Sequence, residues 1–220
     1  MLRLIAPATG RPEPGSAEVR VFSRRNARPR ILATAQAMIR QWPGCPPGIQ
    51  ELAGSTGLSR RAIYNHFAGP DDIYRAVFKD YLRVATEGAQ LEISRTLPPA
   101  QAIDGFATSV LELIASEPYL MILRALAGGP TDEWLASAFR RTVRQPLARS
   151  VEAYLLYRRL PCSGIDPADA AEHLIATAEA TVISRLLIRR DPLEGWELEF
   201  QARLIAQAFR AAYCSIPLSS

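Results

Sequence analysis

Apolar residues recur at helical spacing along nearly the whole chain. Between Pro29 and Trp42 they fall at Ile31, Leu32, Ala35, Met38, Ile39 and Trp42, one face of an amphipathic helix. Pro43, Gly44, Pro46, Pro47 and Gly48 break it. Ile49, Leu52 and Ala53 then open a second, short helix, in which Ala53 is small enough to let a neighbouring helix approach. Gly57 stands where a left-handed residue would end that helix and redirect the chain. Leu58 precedes Ser59, whose hydroxyl suits the N-cap of a third helix starting at Arg60. A turn of about 100° per residue puts Ile63 and Phe67 on the side packed against Ile49, Leu52 and Leu58. Arg61, Ala62 and Asn65 fall on the opposite side, with Arg60 and Tyr64 along one flank and His66 along the other.

After Gly69 and Pro70, Asp71 and Asp72 suit the first turn of a long helix carrying Ile73, Ala76, Val77, Tyr81 and Val84, expected to run to about Ile93. Further helices are expected over 100–115, 118–127, 132–159, 167–190 and 194–213, bounded by Pro98, Pro99, Pro118, Pro130, Pro161, Pro167 and Pro192. Pro146 inside the third of these predicts a kink. No strand-like alternation competes, so the predicted fold class is all-α: a small three-helix head joined by a long helix to a larger helical-bundle body. The expected divisions are an arm (1–27), a head (28–72), a body (73–216) and a tail (217–220). The last two helices carry broad apolar stripes with small residues among them. Leu174, Ala178 and Val182 on one, with Leu204, Ala208 and Phe209 on the other, are the candidates for a four-helix seam between two copies, the alternative being that both stripes face the chain's own core.

Composition sharpens this picture in one respect. The 220 residues are 48% hydrophobic, enough for a sizeable core, and the net charge of +4 is unevenly spread. Residues 1–66 hold ten arginines against three glutamates, a net +7, and the remainder sums to −3. A basic head on a slightly acidic body fits a protein whose head meets a polyanion. Residues 1–23, with Pro7, Gly10, Pro12, Pro14 and Gly15, lack a helical period and predict a flexible arm. Arg20, Arg24 and Arg25 would let it touch DNA, although a tail that binds nothing fits equally. Cys45, Cys162 and Cys214 are isolated, with only His66 and His173 to join them, so no disulfide framework, metal site or cofactor is expected. No stretch approaches the roughly 18 apolar residues that span a bilayer, and the expectation is a cytoplasmic protein without a membrane partner.

Residues 49–67 thus read as a helix-turn-helix. A helix lying in a major groove offers its outward centre to base edges and its flanks to phosphates. Arg61 would match guanine, Asn65 adenine and Ala62 a thymine methyl. Arg60, Tyr64, His66 and the amide-rich start at Ser59 would meet phosphates. The competing reading is a plain helical hairpin with solvated outward residues.

The stretch IQELAGSTGLSRRAIYNHFAGPDDIYRAVF resembles the head of the tetracycline repressor (TetR) family of bacterial regulators, through Ala53, Gly57, Leu58, Ser59, Tyr64, His66 and Phe67 in order. The likeness covers roughly residues 28–80. It departs at Ala62, where the family usually has Thr, at Pro70, where it has Lys, and at Pro47 and Gly48, where a Ser or Thr cap is usual. The first two departures shift the expected phosphate grip onto Arg60, Arg61 and Arg28. The resemblance implies a homodimer built by the last two helices, reading a palindromic operator in double-stranded DNA. It also implies a small-molecule effector that displaces the long helix and spoils the spacing of the heads, about 34–36 Å apart.

Apolar walls with few polar groups suit a small hydrophobic or amphipathic effector, and the body's candidates for it are Phe106, Val110, Met121, Trp134, Phe139 and His173, with Tyr154, Glu112 and Glu179 as further aromatic or polar groups among apolar neighbours. Aromatic residues at helical spacing are also what a core requires. Two other classes remain open. A helical enzyme would need a nucleophile with its base, or paired carboxylates, and no telling spacing supplies them, so no catalytic residue is assigned. An interaction module that has lost DNA reading would fit the departures at Ala62 and Pro70.

Overall fold

A computed structural model describes residues 26–128, 133–160, 164–185 and 195–214. Within them lie ten α-helices: α1 (Ala27–Gln41), α2 (Ile49–Thr56), α3 (Arg60–Tyr64), α4 (Pro70–Gly88), α5 (Pro99–Ala115), α6 (Glu117–Gly128), α7 (Glu133–Phe139), α8 (Gln145–Arg158), α9 (Pro167–Ile183) and α10 (Gly195–Tyr213). No strand occurs among the described residues, and the all-α class is as expected. The arm through residue 25, the helix end expected at 186–190 and the tail lie outside the described residues.

The head forms because three short amphipathic helices converge on one apolar centre. Ile31, Ala35 and Ile39 of α1, Ile49 and Leu52 of α2, and Ile63 and Phe67 at the end of the hairpin are all buried. Trp42 is not part of that centre. The helix stops at Gln41, and Trp42 adopts a non-helical conformation that leaves its ring 73% exposed.

Helix α4 connects head to body. It opens with Pro70 at a position whose amide needs no partner, and with Asp71 and Asp72 at the positive end of the helix dipole. Its buried stripe of Ile73, Tyr74, Val77, Phe78, Tyr81, Leu82 and Ala85 packs on α1 at one end and on α6 and α7 further along. The Tyr74 hydroxyl donates to Pro43 O at 2.9 Å, and Gln36 Nε2 donates to the Tyr81 hydroxyl at 3.2 Å. Arg40 of α1 pairs with Glu117 at the start of α6 at 2.6 Å. The buried cluster runs without interruption from Ile31 through α4 into the body. The helix ends at Gly88, short of the expected Ile93. Gly88 packs so closely on α5 that a Cβ there would lie 2.7 Å from Leu113 Cδ1.

In the body, α5 lies between α6, α9 and α10, and α9 packs along α8. The kink expected near Pro146 takes a specific form. Residues Arg140–Arg144 make a π turn, with Gln145 N donating to Arg140 O. Proline lacks the amide its helix position requires and its ring crowds the carbonyl four residues back, so a wider turn just upstream relieves both faults. Arg144, the last residue of that turn, joins a polar group embedded in the body. Its Nε lies 3.1 Å from Glu179 Oε1 and its Nη2 3.5 Å from Glu172 Oε2. The fully buried Tyr119 donates its hydroxyl to Glu179 Oε1 at 2.6 Å. Burial holds the Glu179 carboxyl above the usual carboxylate range, outweighing the opposing pull of the Tyr119 hydroxyl and the Arg144 guanidinium. Burial also keeps the Tyr119 phenol protonated.

Helices α9 and α10 divide their stripes between two uses. Leu174, Ala178, Val182 and Phe209 are buried in the chain's own core, so the expected seam is corrected at these four positions. Leu204 and Ala208 remain exposed, together with Trp196 and Phe200. An amphipathic stripe states only that a face is covered, and here α5 and α8 of the same chain cover much of it. The buried Arg210 donates to Ala100 O at 3.1 Å and pairs with Asp104, fixing α10 along α5.

Candidate nucleic-acid interface

The helical hairpin is set by two local features. Gly57 ends α2 at φ 65° and ψ 18°, a left-handed conformation that a side chain would strain. Ser59 is extended and accepts from Ala62 N at 3.1 Å through its hydroxyl, satisfying one of the free amides that start α3. With only five residues in α3, that cap carries much of its definition. Replacing Ser59 by alanine is expected to cost about 1 kcal/mol in urea unfolding. A loss below about 0.3 kcal/mol would mean the cap contributes nothing to the head.

Burial of Ile63 and Phe67 turns the rest of α3 outward. Arg60, Arg61, Tyr64 and Asn65 are exposed, and Ala62 and His66 are half-buried. Ser59, Arg61, Ala62, Asn65 and His66 line one concave surface with Ala27 and Leu58, enclosing about 530 Å³. Five of the eight expected residues meet there. Arg60 and Tyr64 stand beside it on the exposed flank. Arg28 points elsewhere: its guanidinium lies 5.1 Å above the Phe67 ring, tying the start of α1 to the end of the hairpin. The neighbouring Arg30 donates to Thr56 O at the end of α2, a strut that sequence spacing did not signal because the partners are 26 residues apart.

The effector candidates are dispersed. Phe106, Val110, Met121 and Phe139 are buried in the core, where Phe139 meets the Tyr119 ring edge-on at 5.0 Å. Trp134 is half-buried beneath the Arg75 guanidinium at 5.9 Å. His173 is on the outer face of α9, bonded to the Tyr213 hydroxyl at 2.6 Å, and lines an apolar groove with Thr177, Ala208 and Phe209. The six therefore do not enclose one pocket. Helical period identified the inward faces correctly but could not say whether space was left between them. Two further open spaces of the body lie around the connection that follows α4. One, of about 200 Å³, is lined by Glu92, Ile93, Arg95, Arg149, Ser150, Ala153 and Tyr154. Another, of about 130 Å³, lies beside Leu97, Gln101 and Phe106. Among the described residues no single helix is long and apolar enough to cross a membrane, and no group of His, Cys, Asp and Glu is arranged to hold a metal ion.

No family model and no curated protein sequence matches the chain. Solved structures do. A putative TetR-family transcriptional regulator from Mesorhizobium loti is 20% identical, with 86% of this chain and 98% of that one covered at a TM-score of 0.62. SmeT, the repressor of the Stenotrophomonas maltophilia multidrug efflux pump SmeDEF, is 15% identical, with 88% and 93% covered at 0.63. The transcriptional regulator FadR from Bacillus subtilis, in complex with stearoyl-CoA, is 15% identical, with 83% and 97% covered at 0.59. The chain thus has the fold of the TetR-family transcriptional regulators, over almost the full length of each of these structures.

Proposed function

We propose that the chain is a DNA-binding transcriptional regulator that acts in the cytoplasm as a homodimer. In this reading it represses from a palindromic operator and is released when a small molecule binds the body. The observation that carries the proposal is the capped helix α3, whose buried Ile63 leaves Arg61 and Asn65 together on an open concave surface of a basic head. Arg61 and Asn65 read base edges, with Ala62 against a thymine methyl. Arg60, Tyr64, His66 and the amides after Ser59 hold phosphates, while Arg28 supports the hairpin from behind. Residues 28–72 serve as the reading head and 73–216 as the sensing and pairing body. The exposed Leu204 and Ala208, extended by Phe200 and Trp196, supply the pairing face, which large exposed apolar residues on adjacent turns favour.

The test is a gel shift on the DNA flanking the chain's own gene. Arg61→Ala is expected to relax base preference, removing about 1–3 kcal/mol of discrimination at one position of each half-site. Tyr64→Phe is expected to weaken binding to all sequences alike. Binding should fall steeply as salt rises, because phosphate contacts release counterions. Wild-type behaviour of both variants would show that α3 does not face DNA. Affinity insensitive to salt would favour an interaction module instead.

A further inference from the structure

The cavity between the connection that follows α4 and the middle of α8 is built from an unbalanced set of groups. Arg95 and Arg149 line it and are exposed, against one carboxylate, Glu92. Neither guanidinium has a carboxylate within 4 Å among the described residues. Arg95 lies instead over the Tyr157 ring at 4.6 Å. A third guanidinium, Arg158, is over the Tyr154 ring at 5.6 Å. Its Nη2 donates to Arg95 O and Leu97 O at 2.6 and 2.7 Å, and its Nε is buried without a hydrogen-bond partner. Tyr154 is 2% exposed, and its hydroxyl too is buried with no partner. A buried hydroxyl with no hydrogen-bond partner is costly unless something completes it.

We infer that this cavity is the effector site and that it takes a small organic acid, its carboxylate held by Arg95 and Arg149 and its carbon skeleton lying against Ile93, Ala153 and the Tyr154 ring. Guanidinium forks match carboxylate geometry, and the apolar wall gives the skeleton a place that a bare inorganic anion would leave empty. A volume of about 200 Å³ suits a single-ring or short-chain acid. The position also links it to the head. Ser150 of α8 already donates to Leu91 O at 2.6 Å, just beyond α4. An acid bridging Arg149 on α8 to Arg95 on the connection would draw the far end of α4 against α8. This inference deepens the effector part of the proposed function and rests on it for the consequence at DNA.

Calorimetry on the full chain without DNA, at constant ionic strength, tests the site with benzoate and hexanoate, and with benzyl alcohol and inorganic phosphate as controls. One or both acids should bind saturably, and the alcohol and phosphate should not. Arg149→Gln should weaken acid binding about tenfold or more, as expected for a lost charge-assisted hydrogen bond. Tyr154→Phe should weaken it several-fold. Arg83→Gln, whose guanidinium is already paired with Asp80 and Glu87, should leave it unchanged. The inference is overturned by failure of both acids to bind, by equal binding of the alcohol or phosphate, or by wild-type affinity in Arg149→Gln. Failure of the untreated protein to shift DNA would overturn the proposed function instead, leaving the calorimetric result intact.

Discussion

Replacing Phe78 by alanine should destabilise the protein by about 3–5 kcal/mol, the usual cost of deleting a fully buried aromatic ring. Its ring is 0% exposed and stands between Tyr74, at 4.5 Å between centroids, and Tyr81, at 5.6 Å. Those two tyrosines carry the hydrogen bonds from α4 to Pro43 and Gln36 of the head. Loss of the middle ring therefore opens a cavity and frees the groups that fix the head on α4. For a chain of this size the melting temperature should fall by about 10 °C. Phe78→Leu, which keeps most of the volume, should cost about 1.5 kcal/mol or less. Thermal melts followed by circular dichroism decide the matter. Equal losses in the two variants would mean that volume at this position is unimportant.

Glu179→Leu should cost about 2–4 kcal/mol, because it leaves the buried Tyr119 hydroxyl without an acceptor and removes the nearer carboxylate of Arg144. The Arg144 side chain is 28% exposed and can still reach Glu172, which keeps the loss below that of a fully buried pair. Glu179→Gln is the informative companion, since it preserves an acceptor for Tyr119 without a charge. The Glu179 carboxyl is raised in the folded state, so folding binds its proton more readily than the unfolded chain does. Its contribution to stability is accordingly full below the ordinary carboxylate range and declines as pH rises through the raised folded value. The melting temperature of the wild type, measured relative to Glu179→Gln, should fall over that interval. A constant difference would show that the carboxyl titrates normally.

Which parts of this structure could be read from the chain follows from how local each cause is. Gly57, Ser59, Ile63 and Phe67 act on neighbours within a few residues, and the hairpin appeared where their spacing put it. Prolines at 70, 99 and 167 each stand at the start of a helix, because a missing amide is harmless there. Partnerships across long separations left no such mark. Tyr119 and Glu179 are 60 residues apart, and Arg158 reaches back 61 and 63 residues to its carbonyls. The same limit explains the effector residues. Phe106, Met121 and Phe139 face inward as their period requires, yet whether inward means core or cavity depends on how tightly distant helices close. The stripes of α9 and α10 posed the same question, and burial of Leu174 and Phe209 but not Leu204 answers it residue by residue.

Helical phase accounts for a pattern that runs through α7 and α8. Leu135, Phe139, Val143, Leu147, Val151 and Leu155 recur every fourth residue, and all six are buried. An α-helix repeats about every 3.6 residues, so such a series drifts by about 40° at each step and would wind away from the core. The wider turn at Arg140–Arg144 takes up part of that drift midway, keeping Phe139 and Leu147 on one wall. Seven α-helical residues turn by about 700°, close to two full circuits, so removing a single residue from that turn would let it close into an ordinary α turn with Leu135 and Phe139 still facing the core.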